Sequence, residues 1–166
     1  MDHLWTPWRS TYMEAKKTPG ECVFCRAFGS PANDEESLVA YRGETCFVIL
    51  NRYPYTTGHL MVVPNDHVSR LMASSLASSW EMIELTRHAE RILEDIYRPD
   101  GLNLGMNLGS AAGAGITEHI HMHVLPRWLG DANFMTAVGD TRIMPESLDI
   151  TYEKVRTAFE TLNPAP

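Results

Sequence analysis

The clearest periodic pattern lies at residues 76–97. Met82, Leu85, Ala89, Ile92, Leu93 and Ile96 recur at helical spacing, with Glu84, Arg87, His88, Arg91 and Asp95 on the opposite face. One long amphipathic helix is predicted, stopped by Pro99-Asp100-Gly101, with His88 solvated among the charges. Leu148, Tyr152, Val155, Phe159 and Leu162 make a second stripe and predict a C-terminal helix over 146–162. Between these helices and before them, apolar residues come in runs of strand length. Cys46-Phe-Val-Ile-Leu50 reads as a buried strand, and His59-Leu-Met-Val-Val63 as another ended by Pro64. The turn-rich stretch 51–58 makes the two an antiparallel pair. Residues 102–107 predict a further strand. Residues 117–126 alternate strictly: His119, His121 and His123 against Ile120, Met122 and Val124. That period predicts a strand closed by Pro126, with three imidazoles in a row about 7 Å apart on one face.

Composition narrows the setting. The 166 residues suit a single domain, with an N-terminal arm at 1–21, a motif-bearing core at 22–134 and the C-terminal helix at 146–162. No apolar run is long enough to span a membrane, and the first residues lack the pattern of a signal peptide. A net charge of −7 argues against broad nucleic-acid binding but leaves room for a small anionic substrate. Three cysteines are too few for a disulfide scaffold and point to the reducing cytoplasm. In the arm, Trp5, Pro7 and Trp8 suit packing on the body or on a partner subunit, or stacking on a nucleobase.

The histidine row concentrates the chemistry. A neutral imidazole attacks through one nitrogen and donates from the other, so a row lets one ring react while its neighbours orient it. An H-x-H pair could instead chelate a metal. Cys22-Val-Phe-Cys25 offers half a zinc site or a redox couple; without a preceding strand, metal is the better expectation, with two more ligands from distant histidines. Cys46 reads as core. His59 shares a face with Met61 and Val63 and suits a satisfied core histidine or a site residue equally. His67, on its own, reads as a surface residue. The loop Gly109-Ser-Ala-Ala-Gly-Ala-Gly115 lacks Gly-Lys-Ser/Thr and leads to a strand, so it is neither a P-loop nor a dinucleotide fingerprint. Directly before the histidines, it suits an anion cradle better than a mere tight connection.

The stretch His119-Ile-His121-Met-His123-Val-Leu resembles the histidine-triad (HIT) family pattern of His, apolar, His, apolar, His, apolar, apolar. Asn51 to His59, Asn107-Leu-Gly109, Pro126-Arg-Trp-Leu-Gly-Asp131 and the early C-x-x-C also resemble family segments. The Trp-Thr-Pro-Trp start, Ala112-Gly-Ala-Gly-Ile116 and Pro126-Arg-Trp are most similar to the bacterial dinucleoside-polyphosphate phosphorylase branch. The resemblance implies an α+β fold, a five-stranded, mainly antiparallel sheet with two helices, and a homodimer with a continuous sheet. It implies nucleotidyl transfer from a dinucleoside polyphosphate to His121, then to inorganic phosphate or water. His123 and His59 would assist, and Asn51, Asn107, Gly109, Gly113, Gly115 and Arg127 would bind substrate. Cys22, Cys25, His67 and His119 would hold a structural zinc, with no organic cofactor. A purine nucleoside phosphoramidase, or a nucleotide-binding interaction protein, is the alternative. Hydrolase and phosphoramidase branches usually carry Gln or Ser just before the triad. Here Gly115, Ile116 and Thr117 stand there and the chain has no glutamine, which favours phosphorolysis.

Overall fold

The computed structural model describes residues 22–139 and 144–162. The expected N-terminal arm, with Trp5 and Trp8, lies outside the described residues. Two short helices, α1 (Val23–Phe28) and α2 (Asp34–Ser37), lead into β1 (Val39–Arg42) and β2 (Cys46–Leu50). Then come β3 (Leu60–Pro64), the long helix α3 (Leu76–Tyr97), β4 (Gly101–Gly105), β5 (Met122–Arg127), α4 (Phe134–Gly139) and α5 (Leu148–Leu162). The strands form one sheet in the order β1-β2-β3-β5-β4, with every neighbouring pair antiparallel. This is the α+β architecture expected from the sequence.

Helix α3 buries Met82, Leu85, Ala89, Ile92 and Leu93, the stripe read from the sequence. Fully burying such an aliphatic side chain contributes about 1.5–3 kcal/mol, so packing rather than propensity holds the helix. Ser75 caps it by accepting the Ser78 N–H at 3.0 Å, and Arg98 ends it at φ 47°. Helix α3 lies across β2, β3 and β5, and α5 packs on β1 and α3 through Tyr152, Val155 and Phe159. Gly58 shows which sheet face these helices cover. At φ +77°, a Cβ there would stand 3.0 Å from Leu93, 3.1 Å from Tyr97 and 3.2 Å from Pro126. Pro126 therefore faces α3, and Val124 shares its side. His123 and Leu125 point to the opposite face, which α3 does not cover.

Three expectations need correction. The histidine strand begins at Met122, not at 117. Ahead of it the Ile120 N–H donates to the Val68 carbonyl at 2.8 Å, so the chain at His119–His121 is tied outside the sheet. Pro126 does not close the strand, because it pairs with Leu102 and β5 runs on to Arg127. The ladder with β3 stops at Val124, so a missing donor at Pro126 costs that side nothing. β3 does end at Pro64, which pairs with Cys46 as its last residue, but His59 stands just before that strand rather than in it.

Candidate active site

The turn between β2 and β3 sets the first histidine. His59 is 1 % exposed, and its Nδ1 accepts the Tyr55 N–H at 3.1 Å, with Asn51 Nδ2 also donating at 3.3 Å. The Asn51 Oδ1 accepts the Tyr53 N–H at 3.0 Å, which locks the turn. With Nδ1 an acceptor, His59 carries its proton on Nε2 and donates to His123 Nδ1 at 2.9 Å. His123 in turn carries its proton on Nε2. His121 has the opposite tautomer: its Nδ1–H donates to the His119 carbonyl at 3.0 Å, leaving a lone pair on Nε2. The His121 and His123 rings stand 4.8 Å apart at 79°. The site thus presents a lone pair and an N–H side by side, which is the pairing a nucleophile and an oxyanion donor require.

Burial favours the neutral form of His121 and His123. It pushes His121 below the ordinary histidine value, against its bond to the His119 carbonyl. Burial, reinforced by His121, pushes His123 from 6.5 down to about 4. A pH dependence of stability follows. As pH falls below about 6.5, the unfolded chain takes up a proton at His123 that the folded chain refuses until about pH 4. The His123 contribution is complete above that window, is lost through it, and amounts to about 3 kcal/mol. Urea unfolding at about pH 7 and about pH 4.5 should show a larger loss in the native protein than in His123→Asn. Equal losses would remove His123 as the cause.

A second cluster lies beside the first. Cys22, Cys25, His67 and His119 bring their ligand atoms within 4.8 Å of one another. Cys22 Sγ is 3.4 Å and Cys25 Sγ 3.6 Å from His119 Nδ1, and Cys25 Sγ is 3.2 Å from His67 Nδ1. The His119 Nε2–H donates to the Pro64 carbonyl at 2.9 Å, so Nδ1 offers its lone pair towards the thiols. Burial lowers the His119 pKa, which also favours the neutral, ligating ring. Two thiols and two imidazole nitrogens at edges of this length suit a tetrahedral ion with bonds of about 2.0–2.3 Å. The triad is therefore divided: His119 turns to the thiols, while His121 and His123 remain with His59.

Phe24, between the two cysteines, was not singled out in the sequence. It is 2 % exposed and packs 5.1 Å from the His121 ring and 5.4 Å from the His119 ring, where it separates the two clusters. Tyr55 lies 4.7 Å from the His59 ring, also unforeseen. An aromatic inside a C-x-x-C is the one hint available, since both contacts depend on distant chain. Gly105 pairs with His123 as the last step of the β4–β5 ladder, and Asn107 follows β4 with its Nδ2 4.0 Å from the Cβ position of Gly113. Gly109 and Gly113 follow in the loop at φ 95° and 90°, with Gly115 exposed beyond them. Arg127 stands at the other end of β5, opposite Gly101, with its guanidinium bonded to Asp131 and Asn103.

A family model described as HIT domain matches residues 32–128. The chain belongs to the HIT domain family. It is 40% identical, over 96% of its length and 85% of the relative's, to a Mycobacterium tuberculosis protein named AP-4-A phosphorylase. Among solved structures it is similar to a Zn-bound histidine triad family protein from Mycobacterium smegmatis, with a TM-score of 0.69 and 28% identity over 88% of this chain and 98% of that one. A protein from Sulfolobus tokodaii described as a hypothetical histidine triad nucleotide-binding protein gives 0.66 and 28% over 85% and 93%.

Proposed function

We propose that this protein cleaves dinucleoside polyphosphates, diadenosine tetraphosphate above all, by phosphorolysis through a nucleotidyl-histidine. The observation that carries this reading is the opposed tautomers of His121 and His123 on the face that α3 does not cover. The likeness to AP-4-A phosphorylase supports the substrate. The His121 Nε2 lone pair attacks the α-phosphorus and forms an N–P bond. The P–O bond to the departing nucleotide breaks, and its oxygen keeps the electron pair. The carbonyl of His119 holds the Nδ1–H as positive charge develops on the ring. The His123 Nε2–H donates to a phosphoryl oxygen, and His59 fixes that ring. A phosphate oxygen then forms the new P–O bond, and the N–P electron pair returns to Nε2.

In this reading Asn51 binds the ribose hydroxyls, and Asn107 with the loop through Gly109, Gly113 and Gly115 binds the phosphate oxygens. Arg127, paired with Asp131, is left out of this set. The donor set of Cys22, Cys25, His67 and His119 fits zinc. With four protein ligands it would cross-link α1 to the segment before β5 and take no part in the chemistry. Cys22 and Cys25 are free thiols, which suits a reducing cytoplasm. Helix α3 carries too many charges to cross a membrane, and no described helix is apolar enough to do so. Strand β4 ends the sheet and exposes Leu104, which supports edge-to-edge pairing of two copies.

Chromatography of products from diadenosine tetraphosphate tests the reaction. ADP plus ATP, formed only when inorganic phosphate is present, is the expected result. AMP plus ATP without phosphate would make the protein a hydrolase. Consumption of adenosine phosphoramidate with no cleavage of the tetraphosphate would make it a phosphoramidase, and binding without turnover of either a nucleotide-binding module.

A further inference from the structure

The sheet lays the site out in one direction. Asn51 follows β2, His59 precedes β3, His123 lies on β5, Gly105 ends β4, and Asn107 comes just after it. With the ribose at Asn51 and the α-phosphorus at His121, the rest of a polyphosphate must run towards the β4 loop. A cation stands there. A Cβ built on Gly109 would be 4.0 Å from Arg70 Nη1, so this guanidinium overhangs the loop backbone. Asn107 Nδ2 comes equally close to the Cβ position of Gly113, 4.0 Å away, on the same loop. Gly109 and Gly113 both have positive φ and no side chain, so nothing screens the guanidinium from a ligand lying along the loop.

Most of the other described cations have acidic partners, whereas Arg98, like Arg70, has none among the described residues. Arg42 is held by Asp34, Arg87 by Glu84, Arg127 by Asp131 and Arg156 by Glu160. The Arg70 side chain makes no ion pair or hydrogen bond among the described residues. What sets Arg70 apart is its place beside the glycine loop. A planar fork of N–H donors suits phosphate oxygens.

We propose that Arg70 is a substrate-binding residue that holds the phosphates beyond the α-phosphorus. It first grips the polyphosphate of the departing nucleotide. Departure and re-attack both lie in line with the N–P bond, so the entering inorganic phosphate takes the vacated place and meets the same guanidinium. This inference rests on the nucleotidyl-transfer reading above.

The test separates the two. In a His121→Asn background, which blocks turnover, calorimetry compares binding of AMP and of diadenosine tetraphosphate with and without Arg70→Ala. The expected result is tetraphosphate affinity weakened about tenfold and AMP affinity unchanged. Arg70→Lys should restore part of the loss, because it keeps the charge but not the fork. In the otherwise native protein, Arg70→Ala should raise KM for inorganic phosphate by a similar factor. Unchanged tetraphosphate affinity, or equal weakening of both ligands, would overturn the role of Arg70 and leave the transferase reading standing. Failure of the tetraphosphate to bind even with Arg70 in place would overturn the transferase reading, and the role of Arg70 with it.

Discussion

Replacing His121 by alanine should lower turnover of diadenosine tetraphosphate by about 10⁴-fold or more, the usual cost of removing a covalent nucleophile. The fold should survive. His121 contributes one hydrogen bond, to the neighbouring His119 carbonyl, and its ring contacts are with Phe24 and His123. The loss should therefore fall on kcat, with nucleotide binding within about twofold of native, because Asn51 and the β4 loop are untouched. His123→Ala should behave differently. It removes a donor to the phosphoryl group rather than the attacking atom, so a loss of about 10²–10³-fold is expected. Steady-state kinetics on both variants, with circular dichroism as a folding control, checks the order. A His123 variant more damaged than the His121 variant would reverse the assigned roles.

The second large effect belongs to the thiols. Purified protein should carry zinc, and the double change Cys22→Ser, Cys25→Ser should remove it. Burial raises the Cys25 thiol pKa, with Cys22 adding to the effect, so this thiol is poor at holding charge unless a cation lies beside it. Without that ion, α1 loses its tie to the segment preceding β5. A loss of about 3 kcal/mol is expected, equivalent to about 10 °C in melting temperature. Cys46→Ala is the control. Its thiol is buried, donates to the Ser78 carbonyl at 3.3 Å and is pushed up to about 12, so it should change packing but not metal content. Turnover should fall with the metal, because the His119 carbonyl that orients His121 belongs to a ligand of the cluster. Metal content and melting temperature unchanged in the double variant would contradict the structural-zinc account.

What was legible in the sequence was what local pattern decides. Cys46–Leu50 and Leu76–Tyr97 occur with the bounds read from their apolar runs, since side chains within each element carry the information. The histidine stretch misled because its alternation is real but its backbone is governed from afar. Val68 takes the Ile120 N–H, and Pro64 takes the His119 ring proton, so the ladder starts only at Met122. Spacing alone made His67 a surface residue; its neighbour Cys25 is 42 positions away in sequence. Likewise the bond of His59 goes to His123, 64 positions on, where spacing left core and site equally open. Beyond an aromatic inside the C-x-x-C, Phe24 carries little signal in a single sequence, and Arg70 none, because their neighbours His121 and Gly109 come from remote segments.

The central claim is a covalent nucleotidyl group on His121. Rapid acid-free quenching of enzyme mixed with diadenosine tetraphosphate in the absence of phosphate, followed by intact-protein and peptide mass spectrometry, tests it directly. The account predicts a mass gain of one adenylyl group, mapped to His121 and discharged as ADP when phosphate is added. Consumption of substrate with no modified protein at any time, or an adenylyl group found on another residue, would contradict it.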